Sequence, residues 1–243
     1  MNIIRLDEVD STNSYVERNA RHMAHGDTVT ARTQTAGRGQ RGNTWESEPG
    51  ANLTFTMLLR PDIEASRQFA ISEAFSLCVC DVLREICGVE CRVKWPNDIY
   101  AGDGKICGIL ISHALQGKRI LHTVAGAGIN INQLRFLSDA PNPVSVRQIT
   151  GLVHDADAIL ALLAGRIEKE TERLASEEYR AELHRRYMRS LWRGDGQMYP
   201  FMDTETGEHF AARVTDVEPS GHLVLTDAAG NHRRFAFKEV AWL

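Results

Sequence analysis

No stretch of this 243-residue sequence is long and apolar enough to span a bilayer. Its N-terminus also lacks the charged region, apolar run and small-residue cleavage site of a secretory leader. Both absences lead us to expect a cytoplasmic protein with no membrane partner. There is no basic excess either: 28 Lys and Arg stand against 32 Asp and Glu, a formal charge of −4. A nucleic-acid binder usually shows a basic patch or stripe, so no nucleic-acid partner is expected. Cysteine is scarce and odd in number: Cys78, Cys80, Cys87, Cys91 and Cys107. Their spacing is not that of paired zinc ligands, and reduced, mostly buried thiols with no catalytic role are expected.

An ordinary globular composition remains, 43% apolar, enough for a substantial core. Residues 3–6 read as a strand. The capping residues Asp10, Ser11, Thr12 and Asn13 precede a helix to about His22. Residues 28–33 read as a β-branched strand, and residues 37–50 as a long glycine-dense loop. A strand over 52–59 precedes a strongly apolar helix over 66–87. Strands follow over 91–94, 105–113 and 120–131, the last two joined by a turn at Gln116 and Gly117. A proline-containing loop covers 139–144, and helices cover 155–175 and 177–192. Strands and helices mix without strict alternation, which predicts an α+β fold with a mixed sheet. Residues 193–196 read as a hinge. Beyond them, short strands near 209–217, 222–226 and 233–243, separated by tight-turn signals, predict a small β-barrel-like module. The expected domains are 1–192 and 193–243.

Four segments carry candidate chemistry. In the first, Gln34 precedes Gly37, Arg38, Gly39, Gln40, Arg41, Gly42, Asn43, Thr44 and Trp45. Its glycines let backbone approach a ligand and offer N–H groups to an anion, its arginines are forked donors, and Trp45 is a flat apolar face. A disordered surface loop with incidental arginines is the blander reading. In the second, Lys94, Trp95, Pro96, Asn97 and Asp98 place a cation, an amide and a carboxylate together after a strand. That suits charge on a phosphate or a Mg²⁺ ion, and a simple strand-end turn suits it equally. In the third, Lys105 opens an apolar strand that runs through Gly108; alone it is more often a solvated edge charge. In the fourth, Gly126, Ala127, Gly128, Ile129 and Asn130 would let a ligand lie against a strand.

Taken together and in order, these segments resemble the catalytic domain of the biotin protein ligases. The resembling features are Ser11-Thr12-Asn13, Gln34 with Gly37-Arg38-Gly39 and Trp45, Lys94-Trp95-Pro96-Asn97-Asp98, the strand from Gly104 to Leu110, and Gly126 to Asn130. The similarity covers residues 1 to about 192. The C-terminal module is more loosely similar to the family's SH3-like barrel.

The resemblance implies a ligase that uses ATP with Mg²⁺ to convert biotin to biotinyl-5′-AMP, then passes biotin to a lysine of a biotin carboxyl carrier protein. It implies that Ser11, Thr12, Asn13 and Gln34 bind the ureido end of biotin. Arg38, Gly39 and Gln40 would enclose biotin and the α-phosphate, and Lys105 would meet the biotin carboxylate. Trp45, Arg41 and Asn130 would take the adenylate. Lys94, Asn97 and Asp98 would lie at the phosphates, with Asp98 the candidate Mg²⁺ ligand; Lys105, Lys94 and Arg38 are the catalytic candidates. Many members carry arginine where this chain has Gln40 and Asn43, so the charge on the loop is thinner here. With Ser-Thr-Asn already at Ser11, no N-terminal DNA-binding module is expected. A monomer or weak homodimer is expected. The rival within the same architecture is a lipoate or octanoate ligase or transferase, for whose alkyl chain Gln34 and Ser11-Thr12-Asn13 would sit unpaired.

Overall fold

A computed structural model of the chain describes residues 2–137 and 142–243, apart from the Arg41 side chain. The fold is α+β, as the mixed pattern of elements predicts. A seven-stranded sheet has the order β1-β2-β3-β7-β6-β5-β4. Its strands are β1 (Ile3–Val9), β2 (Thr28–Gln34), β3 (Leu53–Leu59), β4 (Arg92–Lys94), β5 (Asp98–Ala101), β6 (Gly104–Gln116) and β7 (Arg119–Ile129). β1 and β2 pair in parallel and every other neighbour is antiparallel. The long β6–β7 hairpin turns at Gly117, whose φ of +60° favours glycine.

Helix α1 (Thr12–Asn19) covers one face of this sheet, where Val16, Val29, Leu58 and Val124 form a small core. The other face is covered by α2 (Phe69–Cys87) with α4 (Ala156–Arg173) and α5 (Glu177–Arg189). Phe55, Met57, Phe75, Leu83, Leu163 and Tyr187 are buried there. Burial nearly all round α2 is what its unbroken apolar sequence demands. α4 starts one residue after Asp155, whose carboxylate accepts from the N–H groups of Asp157 and Ala158. A short helix α3 (Val146–Thr150), closed by a capping box between Ser145 and Gln148, was not anticipated. Of the expected loop over 139–144, residues 139–141 lie outside the described residues.

The second sheet, order β11-β10-β9-β8-β12, is built from residues 199–242. It contains β8 (Tyr199–Asp203), β9 (His209–Val217), β10 (Leu223–Asp227), β11 (His232–Phe235) and β12 (Val240–Trp242). The sequence pattern missed β8 and fused the last two strands. Phe201, Val217, Leu223 and Leu225 belong to the same continuous core as α2, so the small sheet docks on the large unit through apolar burial. Trp95 Nε1 also donates to Gly221 O at 3.0 Å. No helix among the described residues is long and apolar enough to cross a membrane.

Candidate active site

A cavity of about 700 Å³ opens on the α1 side of the large sheet. Ligand pockets run roughly 300–1,000 Å³, so the space is of small-molecule size. Its walls bring together all four segments singled out in the sequence.

One end is polar and buried. Gln34 Oε1 accepts from the Thr12 backbone N at 2.8 Å and lies 3.1 Å from Thr12 Oγ1. A backbone N–H needs an acceptor, so this contact settles the orientation of the Gln34 amide and leaves Nε2 as its free donor. Thr56 Oγ1 lies 2.9 Å from Thr12 Oγ1 and 2.8 Å from Asn13 Oδ1, and Asn13 Nδ2 donates to Leu110 O at 3.3 Å. Thr12, Asn13 and Thr56 are each under a tenth exposed. Ser11, next to this end but not among the cavity-lining residues, occupies the N-cap position of α1 and its side chain caps nothing; Ser11 Oγ is buried without a hydrogen-bond partner. Thr56 carries no sequence motif, and only the pairing of β3 with β7 places it under Asn13.

The glycines of β6 and β7 serve the protein's own side chains. A Cβ on Gly126 would collide with Asn13 Oδ1 and sit 2.8 Å from Thr56 Oγ1. Gly108 and Gly128 are cross-strand partners, and the Trp45 indole lies over both: a Cβ on Gly108 would be 2.9 Å from Trp45 Cζ3, and one on Gly128 would collide with the ring. Gly126, Ala127 and Gly128 line the cavity, and Asn13 and Trp45 pack against the two glycines beside it. Trp45 Nε1 is buried without a partner.

The loop expected to be irregular is a small hairpin. Arg38 and Thr44 form an isolated bridge, Gly39 N–H donates to Asn43 O at 2.7 Å, and Trp45 N–H donates to Gly37 O at 3.0 Å. Gly39 N–H is thus committed within the hairpin rather than held open for an anion. Arg38 borders the cavity, yet its guanidinium bonds Glu17 Oε2 at 3.0 Å and Ser14 Oγ at 3.2 Å on α1. Gln40 and Asn43 also border the cavity. The Arg41 side chain lies outside the described residues.

The other end is charged. Lys105 Nζ and Asp98 Oδ1 form an ion pair at 2.7 Å, both about a fifth exposed. Asn97 Nδ2 donates to Ile109 O at 2.8 Å. Asn130 is buried, and its Nδ2 donates to Val144 O at 3.1 Å and lies 3.4 Å from Lys105 O. The Asn130 nitrogen is thus committed to backbone, leaving only Oδ1 for an adenine. Lys94 is not among the cavity-lining residues. Its Nζ lies 3.1 Å from Tyr100 Oη and 4.7 Å from the Trp192 ring centroid. Burial lowers the Lys94 pKa from the usual lysine value. Phe136 and Phe237, which the sequence did not single out, also line the cavity; Phe237 comes from the small C-terminal unit.

All five cysteines are unpaired and none lines this cavity. Burial pushes the thiols of Cys78 and Cys91 up to about 12, which keeps them protonated and poorly nucleophilic. Among the described residues no cluster of three or more His, Cys, Asp or Glu is placed to hold a metal ion.

The Biotin/lipoate A/B protein ligase family model matches residues 6–130, which is 125 of 243 residues. The bifunctional ligase/repressor BirA of Salmonella typhimurium is 33% identical over 172 residues, covering 70% of this chain and 54% of that protein. This chain thus spans about half the length of that relative. The biotin–[acetyl-CoA-carboxylase] ligase of Paracoccus denitrificans is 34% identical over 171 residues, covering 65% of this chain and 68% of that protein. The biotin protein ligase from Aquifex aeolicus, solved with biotin and ATP, superposes with a TM-score of 0.79 at 22% identity, covering 99% of this chain and 97% of that one, a likeness of fold. Matched by the family model over half its length, and covering two thirds of a relative a third identical to it, this chain belongs to the biotin/lipoate A/B protein ligase family.

Proposed function

We propose that the chain is a biotin protein ligase, which joins biotin to AMP from ATP and then transfers the biotinyl group to a lysine of a biotin carboxyl carrier domain. The observation that carries this reading is one cavity with a buried array of neutral polar groups at one end and the Lys105–Asp98 pair at the other. A ureido ring presents one carbonyl and two N–H groups. Gln34 Nε2 is a donor held in place for the carbonyl, and Ser11 Oγ and Asn13 Oδ1 are acceptors for the N–H groups. A plain alkyl chain would leave these groups unpaired at a cost of about 1–3 kcal/mol each, which disfavours lipoate or octanoate as the substrate. The relative from Paracoccus denitrificans is likewise named as a ligase of biotin.

Adenylation brings two anions together, so the site must position them and neutralise charge. Lys105 meets that need by leaving Asp98 for the biotin carboxylate and then the α-phosphate. Arg38 meets it by leaving Glu17 as the hairpin closes over the adenylate, with Gly39 and Gln40 forming the backbone of that cover. Trp45 and Asn130 Oδ1 face the adenine, Arg41 supports the adenylate, and Asn97 lies beside the phosphates. Mg²⁺ usually binds through one or two carboxylates plus substrate phosphates, so a single carboxylate at the phosphate end fits an ion that arrives with ATP. Asp98 would hold it, and the ion would screen the phosphate charge. Lys94 adds positive potential from behind the wall. Residues 1–192 form the catalytic domain, and residues 193–243 form the C-terminal domain that supplies Phe237.

The test is incubation with biotin and α-labelled ATP, followed by addition of a purified carrier domain. A labelled adenylate that appears with biotin and is consumed by the carrier supports the reading. An adenylate formed with octanoate or lipoate but not with biotin overturns it.

A further inference from the structure

A second cavity of about 440 Å³ lies between β6, the start of α2 and the small sheet. It exists because β5 is short: its pairing with β6 stops at Gly108, so the β6 edge beyond has no strand beside it there. Gln40, Pro96, Asn97, Ile109 and Phe237 border both cavities, so the two share one wall. Among the described residues, no acid, lysine or arginine lines the second cavity. Ser76 lines it too, 1% exposed, with its hydroxyl unpartnered.

We propose that this second cavity is the corridor through which the acceptor lysine side chain of the carrier domain reaches the adenylate. The inference rests on the ligase reading above. The amine arrives as an ammonium ion and must shed a proton to become a nucleophile. A carboxylate in the corridor would hold it as ammonium, and a lysine or arginine would repel it. The titratable side chains that line it are His113 and His222, the latter 4.0 Å from Glu218, and the neutral acceptors Asn97 and the free hydroxyl of Ser76 guide the amine without fixing its charge. His113, across the cavity from α2, reports the same environment: burial pulls its pKa down to about 4, so a cation is penalised there. An entering ammonium meets that same penalty, which favours its neutral form. In the transfer step the amine nitrogen bonds to the carboxyl carbon, the bond from that carbon to the phosphate oxygen breaks, and AMP leaves with the electron pair. Two protons, one from the ammonium and one from the new amide nitrogen, pass to solvent. Release of pyrophosphate is the other use of a second opening, and a corridor without lysine or arginine does not suit a polyanion.

The experiment separates the two steps. Ser72 lines only the second cavity and is partly exposed on α2. In Ser72→Trp, biotin-dependent ATP–pyrophosphate exchange should stay within about twofold of the parent, while single-turnover transfer from bound adenylate to a carrier domain slows at least about tenfold. Ser72→Ala should transfer like the parent, and His113→Trp, which fills the cavity from β6, should reproduce the split. Trapping of bound adenylate by hydroxylamine should slow in both tryptophan variants, since it needs the corridor and not the carrier's docking surface. Unchanged transfer in both variants overturns the proposal. So does exchange falling in step with transfer, or carrier transfer slowing while hydroxylamine trapping does not. Absence of exchange in the parent protein overturns the ligase reading instead.

Discussion

Replacing Gly126 by alanine should disable the polar end of the first cavity. The added Cβ would collide with Asn13 Oδ1 and lie 2.8 Å from Thr56 Oγ1. Neither neighbour yields easily, because Thr56 is wholly buried on β3 and Asn13 is tied to Leu110 O and Thr56. Overpacking a dense interior costs about 1–3 kcal/mol. Expelling the Asn13 amide forfeits two buried hydrogen bonds, worth about 1 kcal/mol each. The sum, about 3–5 kcal/mol before relaxation, corresponds to a fall in melting temperature of about 6–20 °C for a chain of this size. Loss of Asn13 as a biotin acceptor should weaken biotin binding by at least about tenfold, or 1.4 kcal/mol. Differential scanning calorimetry and isothermal titration with biotin read the two effects. Gly165→Ala is the control: it lies in α4 with nothing within 4 Å of the new Cβ, and should be neutral or stabilising by about 0.4–1 kcal/mol. A Gly126→Ala protein that melts and binds biotin like the parent would refute the geometry assigned to Asn13, Thr56 and Gly126.

Three further outcomes follow from the site and the docking of its small unit. Lys105→Ala should lower biotin-dependent pyrophosphate exchange by at least about a hundredfold, the scale seen on removing one key electrostatic donor; near-normal exchange removes Lys105 from the catalytic set. Gly128→Ala should displace the Trp45 indole and weaken ATP binding, with biotin affinity within about twofold, as read by titration of each substrate alone. His184 on α5 lies 2.7 Å from Glu73 Oε1 on α2 and 3.0 Å from Asp216 Oδ1 on β9, and so joins the large unit to the small sheet. The hydrogen bond to Glu73 holds His184 above the usual histidine pKa, and burial raises the Glu73 carboxyl. Both shifts make the folded state bind protons more tightly: the His184 contribution is full below about pH 6.5 and fades as pH rises through its folded pKa, and the Glu73 contribution is full below about pH 4.3 and fades above it. Denaturant melts should therefore show stability falling as pH rises above about 6.5, and falling less in His184→Gln; an equal fall in both proteins refutes the assignment.

Much of the fold was legible because it rests on short-range chemistry. The unbroken apolar run of α2, the Asp155 cap of α4 and the Gly117 turn of the β6–β7 hairpin are each specified by neighbouring residues. Two elements too short for periodicity passed unnoticed, β5 with four residues and α3 with five. The candidate site divides in the same way. Gln34, Lys105, Asp98 and Trp45 stand in recognisable segments, and the cavity gathers them. Thr56, Phe136 and Phe237 carry no signal of their own and enter through strand pairing and through docking of the second sheet.

By itself the sequence determined which chemistry is present: amides and hydroxyls, Asp98 with Lys94 and Lys105, and glycines that permit close approach. Tertiary structure alone decided what each group faces. The β6–β7 register sets Gly108 against Gly128 beneath Trp45 and puts Gly126 under Asn13, so the glycines make room for side chains of this chain. The closeness of α1 directs Arg38 to Glu17, and the early end of β5 opens the second cavity. The glycine and Arg38 contacts join residues 20 to 113 positions apart in the chain, and no local pattern encodes a distance of that kind, because each is set by the packing of whole elements.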